Sequence, residues 1–203
     1  KGLNRLVADK KFCPLCPVLA GLFFGLGFHT YISFRVAPLI LPFILIPFYF
    51  TCRRQGLEKK YWSLVIGFLL SAFLVALPIG LYFLQNPSDF IGRASGVSVF
   101  GHLGMFNFLG DFNWRHNIAG SPVLFWPVGI FFLAGLFLII KQAWLSLKNK
   151  NLFSTTSAWF LLAFWSVMLL PGILTSEAVP HSLRVIGAIP AVFIFAGLGL
   201  DFL

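Results

Sequence analysis

Two arginines stand at the edges of long apolar runs. Arg35 lies in Tyr31-Ile-Ser-Phe-Arg35-Val-Ala-Pro38, and Arg184 lies in Pro180-His-Ser-Leu-Arg184-Val-Ile-Gly187-Ala-Ile-Pro190. A guanidinium is planar and can hold a phosphate through two parallel N–H donors, which suits a lipid-linked phosphate at a membrane surface. His181, one helical turn before Arg184, could share its face at such a phosphate, or be an ordinary polar residue of the loop. The plain alternative for both arginines is an anchor whose charged head snorkels to the lipid headgroups. The densest polar cluster is Gly110-Asp111-Phe-Asn113-Trp-Arg115-His116-Asn117. Asp111, Asn113, Arg115 and His116 are candidates for a sugar or acceptor pocket, with Trp114 offering a stacking face. The same residues also read as a loop capped by its own Asp and Asn side chains. Asp111 has no second carboxylate at a spacing that signals paired acid–base chemistry.

Other chemistry is thinly represented. Cys13-Pro-Leu-Cys16 has CxxC spacing, but no second Cys or His pair lies near enough to complete a four-ligand site. No metal ligands are assigned, and three cysteines make no disulfide framework. There is no phosphate-binding glycine loop, HExxH, nucleophile elbow or dinucleotide fingerprint, and the cofactor is unknown from sequence.

The elements that must position these residues are apolar. Runs long enough to cross a bilayer appear at Pro14–Phe34, Val36–Cys52, Tyr61–Leu84, Pro122–Trp144, Phe153–Thr175 and Ile186–Leu203. Each is near the roughly 20 residues that cover about 30 Å of hydrocarbon. The second carries Pro38, Pro42 and Pro47, each removing a backbone donor and inviting a kink. The first carries Gly21-Leu-Phe-Phe-Gly25, a small-xxx-small face that would allow close helix packing. The expected fold is therefore all-α: a single polytopic transmembrane bundle over residues 1–203 with about six spans. In the long segment from Gln85 to Ser121, apolar residues alternate with Gly, Ser and Asn. An interfacial helix lying on the bilayer, followed by a turn at Leu109-Gly-Asp111, is expected there. No internal repeat is evident.

Charge sorts with these runs. Eleven of the fifteen Lys and Arg residues precede the first run or follow the second and fourth. The opposite side holds only Arg35, Arg93, Arg115 and Arg184. The positive-inside rule then predicts a multi-pass cell-membrane protein with its N-terminal piece and the 53–60 and 141–150 loops in the cytoplasm. All eight lysines fall inside on this reading, whereas His29, His102, His116, His181, Asp89, Asp111 and Glu177 fall outside. Any polar site is thus expected to face outward.

Composition excludes other classes. With 59% hydrophobic and 10% charged residues, the chain is far from a soluble domain, which runs at about 45–50% apolar and 25% charged. The net charge of +9 does not indicate nucleic acid, because the basic residues are dispersed between apolar runs rather than clustered on a soluble face. The chain opens on Lys1 and closes on Asp201-Phe-Leu203 within an apolar run, so a piece of a longer membrane protein is expected.

Four stretches together resemble bacterial GT-C glycosyltransferases, relatives of the protein O-mannosyltransferases and the lipid A aminoarabinose transferase. They are Gly25-Leu-Gly-Phe-His-Thr-Tyr31-Ile-Ser-Phe-Arg35-Val-Ala-Pro38; Asn86-Pro-Ser-Asp-Phe-Ile-Gly-Arg93 with Val97-Ser-Val-Phe100; Arg115-His-Asn117-Ile-Ala-Gly120-Ser-Pro122; and Pro180-His-Ser-Leu-Arg184 with Pro190. The resemblance implies sugar transfer on the extracytoplasmic face, from a polyprenyl-phosphate sugar to an acceptor hydroxyl. It also implies that this chain matches the C-terminal part of such an enzyme, since the family's catalytic carboxylate lies in a first outer loop without counterpart here. Arg184 matches the family's basic residue near the donor phosphate, while Arg35 matches a family pattern of unassigned role. The competing expectation is a subunit of a polysaccharide or lipid transporter, whose cavity also needs outward-facing arginines. A third is a non-catalytic subunit of a membrane complex.

Overall fold

A computed structural model describes Cys13 and residues 15–91, 96–149, 152–175 and 178–202. The readings that fall on Lys1, Arg5, Asp9, Lys10, Lys11, Arg93, Lys150 and Glu177 lie outside these residues. Among the described residues the fold is all-helical and no strand occurs. In chain order the elements are α1 (Leu15–Gly27), a first 3-10 helix (Ile32–Ile40), α2 (Leu41–Arg54), α3 (Glu58–Gln85), α4 (Pro87–Ile91), α5 (Val99–Gly104), α6 (Trp126–Asn149), α7 (Leu152–Ile173), a second 3-10 helix (Ser182–Ala188) and α8 (Ile189–Asp201).

Four helical stretches are long and apolar enough to cross a membrane: Ile32–Arg54, Glu58–Gln85, Trp126–Leu145 and Ser182–Asp201. Leu15–Gly27 and Ser157–Ile173 are apolar but shorter. The outward faces of the long helices are apolar too, with Phe73 61%, Phe137 64% and Phe193 58% exposed. Large aromatic side chains presented in such numbers need lipid or a partner rather than water.

Several boundaries differ from the sequence reading. The run Pro14–Phe34 is not one helix: α1 has 13 residues, about 20 Å at 1.5 Å per residue. The chain then turns at residues 28–30 and re-enters helix at Ile32. The outer turn expected to hold Arg35 is instead a 3-10 helix, in which Pro38 lacks a backbone donor. Among the described residues, the long segment after Gln85 contains two short helices, of 5 and 6 residues.

The chain divides into two compact units, and the division falls inside α2. The first comprises the described residues up to Tyr31 together with Ile44–Phe90. Here α1 packs along α3 through the Gly21-x-x-x-Gly25 face. A Cβ at Gly21 would land on Ser71 Oγ and the Phe68 carbonyl, and one at Gly25 would lie 2.6 Å from the Ala72 carbonyl oxygen. The helices can approach this closely only because both positions lack a side chain, as the spacing predicts. The α2–α3 hairpin is closed by Gly56 at φ +70, a left-handed residue just past a helix end. Beneath it Cys52, Tyr61 and Val65 are buried, and the Tyr61 hydroxyl donates to the Leu45 carbonyl at 3.1 Å.

The second unit comprises Ile32–Phe43 and the described residues from Ile91 onward. Helices α6 and α8 are in the closest contact, because Gly135 and Gly199 face each other's backbones. Phe106, Phe132, Trp165 and Phe195 form a ring-on-ring core, with Phe106–Phe132 centroids 5.4 Å apart and Trp165–Phe195 6.0 Å apart, edge to face. Phe195 is fully buried. Helix α7 packs against both 3-10 helices and α5, and this junction carries the polar site.

Candidate functional site

The site lies in the second unit, where the 105–125 segment meets the entrance of the second 3-10 helix. The segment closes on itself through backbone bonds: Val123 N–H to the Met105 carbonyl (2.9 Å), Leu124 N–H to that of Phe106 (3.1 Å) and Gly120 N–H to that of Asp111 (3.0 Å). Asn113 N–H donates to Asp111 Oδ1 at 2.8 Å, and Arg115 N–H to Asn113 Oδ1 at 3.2 Å. These are the local Asx turns that such residues make. The cluster is therefore self-capped, and the same turns aim His116 inward.

Asp111 is the centre of the arrangement and is 1% exposed. Its Oδ2 accepts the His116 Nδ1–H at 2.9 Å and the Ser182 backbone N–H at 2.9 Å. His181 Nδ1 lies 4.0 Å from the same oxygen. The His116 and His181 rings are 4.9 Å apart, centroid to centroid. Burial is the largest influence on the Asp111 carboxyl and by itself raises its pKa. The Asn113 N–H, His116 and the Ser182 N–H together outweigh it, so the pKa sits below the ordinary carboxylate value.

His102 supports this centre from α5. It is completely buried, and its Nε2 accepts the His181 backbone N–H at 3.2 Å. Nε2 must therefore be the unprotonated nitrogen, and Nδ1 carries the proton that reaches the Ser98 carbonyl at 2.9 Å. Gly172 of α7 makes room for the ring, since a Cβ there would lie 2.6 Å from His102 Cδ2. Burial first, and the Arg184 charge after it, push the pKa of both His102 and His181 down, so both imidazoles are held neutral.

Arg184 sits in the first turn of its 3-10 helix, with Arg184 N–H bonded to the His181 carbonyl at 3.2 Å. His181 immediately precedes this helix with an extended backbone, close enough that the Arg184 charge acts on its imidazole. Arg184 is only 8% exposed, whereas an anchor reaching for headgroups would keep its guanidinium open. Arg35 is half-buried on the first 3-10 helix, which packs against the second. The tie between them is Ser33 Oγ, which donates to the Arg184 carbonyl at 2.6 Å.

Five of the seven site residues anticipated from sequence thus gather in one neighbourhood: Asp111, Asn113, His116, His181 and Arg184, with Arg35 on the adjoining helix. Arg115 is exposed and lies over the Trp114 ring, 5.7 Å from its centroid. Trp114 is 78% exposed, so it lines no enclosed pocket. His29 belongs to the first unit, where its Nε2 is 2.9 Å from the Val75 carbonyl. Sequence reading passed over Ser33, Ser98, His102, Gly172 and Ser182. One signal was available: Ser33-Phe-Arg35-Val36 and Ser182-Leu-Arg184-Val185 share a Ser-x-Arg-Val pattern. Both copies lie in 3-10 helices leading into α-helices whose second residue is proline, Pro42 and Pro190. This local likeness qualifies the expectation of no repeat.

The fold and site together define an all-helical chain with several helices able to cross a membrane and a buried Asp–His–Arg cluster at the head of one of them. No protein-family model matches the chain, and no curated protein or solved structure is significantly similar to it.

Proposed function

We propose that the chain is part of an integral membrane glycosyltransferase that moves a sugar from a polyprenyl-phosphate donor to an acceptor hydroxyl on the extracytoplasmic face. The observation that carries this reading is convergence. Three of the four GT-C-like stretches, distant in sequence, meet in the second unit: Ser33 bonds to Arg184, and Asp111, beside the Arg115–Pro122 stretch, bonds to Ser182. In this reading the six apolar segments all cross the bilayer, the 53–60 and 141–150 loops are cytoplasmic, and α4 and α5 lie at the outer interface.

The geometry supports the following roles. Arg184, with Arg35 from the adjoining helix, holds the donor phosphate and stabilises charge that develops on it as the sugar leaves. His181, which immediately precedes the Arg184 helix, joins them at the donor phosphate. Asp111 is saturated by N–H donors, so it positions His116 and Ser182 rather than acting as the base. Asn113 and Arg115 sit on the open side, where an acceptor would approach. In this reading the catalytic carboxylate lies outside these 203 residues.

The test is donor consumption in liposomes carrying a polyprenyl-phosphate sugar. The full-length protein should consume the donor, and residues 1–203 expressed alone should not. Turnover by residues 1–203 alone would refute a base lying outside them. Transport of the intact donor without cleavage would favour a lipid transporter instead.

A further inference from the structure

We propose that Asp111, His116 and His181 form a binding site for a single divalent transition-metal ion of the zinc type. Each residue offers one ligand atom, and these atoms lie within 4.8 Å of one another. Two imidazole nitrogens and one carboxylate oxygen are the donor set of open zinc sites, which keep a fourth position for water.

A second observation points to a missing occupant. Only three buried side-chain polar atoms among the described residues have no hydrogen-bond partner, and two of them are His181 Nδ1 and Ser182 Oγ. A buried polar atom left unpaired is costly, so native structures nearly always give it a partner or a bound species. His181 Nδ1 lies 4.0 Å from Asp111 Oδ2, too far for a hydrogen bond.

The distances bracket what an ion requires. Metal–ligand bonds of about 2.0–2.1 Å in a tetrahedron put neighbouring ligand atoms about 3.3–3.4 Å apart. The His116–Asp111 separation of 2.9 Å must open slightly, and the His181–Asp111 separation of 4.0 Å must close. His116 stands on a loop and His181 at a helix entrance, so small ring rotations supply both changes. On binding, His116 switches tautomer, its proton passing through solvent from Nδ1 to Nε2, and the ion takes the place of that proton between Nδ1 and Asp111. Water on the fourth position is then available to hydrogen-bond Ser182 Oγ.

The surrounding bonds already hold the ligands as such a site needs. Asp111 Oδ1 is fixed by the Asn113 N–H, and the His181 backbone is fixed by His102 Nε2. Partners of this kind orient ligating groups and contribute to affinity.

The full-length protein in detergent, stripped with chelator, is titrated with zinc sulfate, and metal per chain is counted after gel filtration. One tightly held zinc per chain is expected. His181→Gln removes the nitrogen that makes no hydrogen bond, so the fold should persist while affinity falls at least about tenfold. His116→Gln should do the same, and His29→Gln in the other unit should bind as wild type. Cobalt(II) in place of zinc should give the visible bands of a tetrahedral site in wild type and lose them in His181→Gln. Failure of wild type to retain stoichiometric zinc overturns the proposal, as does zinc binding that survives His181→Gln in folded protein. Both readouts are independent of sugar transfer.

Discussion

The hydroxyl of Ser33 donates to the backbone carbonyl of Arg184 at 2.6 Å, joining residues 151 apart in sequence. Ser33 is 4% exposed, so the bond is sheltered from water and ties the two 3-10 helices that carry Arg35 and Arg184. Replacing Ser33 by Ala leaves a buried carbonyl with one bond fewer. A loss of about 1–3 kcal/mol is expected, read as a lower thermal midpoint in detergent. Ser33→Thr keeps the donor and should recover part of it. Equal stability of the Ala variant would remove this bond from the account.

Arg184→Lys keeps the charge but loses the planar fork. In the full-length protein, donor turnover should fall substantially with expression unchanged, and Arg184→Ala should fall further, losing a charged hydrogen bond worth about 1.5–3 kcal/mol. Free substitution by Lys would identify an anchor.

Gly135 and Gly199 let α6 and α8 touch backbone to backbone. A Cβ at Gly135 would overlap the Phe195 carbonyl, and overpacking of this kind costs about 1–3 kcal/mol. Gly135→Ala should therefore melt earlier than wild type. Gly197, in the same helix pair, meets nothing within 4 Å. Gly197→Ala should be neutral or gain roughly 0.5–1 kcal/mol from reduced backbone freedom. Similar melting curves for the two variants would contradict the close approach.

Topology can be checked by thiol labelling in a background with Cys13 and Cys16 changed to Ser. Glu58 and Ile118 are both exposed, and the proposed topology assigns them to opposite faces of the membrane. Single cysteines there should react with an impermeant reagent from opposite faces of sealed vesicles. Reaction of both from one face is incompatible with the proposed orientation.

The local features of the chain were legible without coordinates. Continuous apolar runs make helices because neither water nor polar side chains compete for their backbone groups, and each of the six runs holds a helix. Gly21 and Gly25 are four apart, and four residues return to the same helical face; their close contact with α3 follows. The self-capping of Asp111 and Asn113 is likewise a matter of neighbours two residues away.

The rest depended on contacts between distant residues, which no local pattern encodes. Residues 32–40 and 182–188 wind as 3-10 helices, and the two stretches pack on α7 and on each other. That Asp111 meets His181 and Ser182, and that His102 is the buried acceptor behind them, rests on bonds spanning 71 and 79 residues. Amino-acid type determined which groups were able to bond, because donors, acceptors and charge are properties of single side chains. Only the tertiary structure decided which of them are buried together, because burial withdraws water as a partner and leaves each polar group to find another.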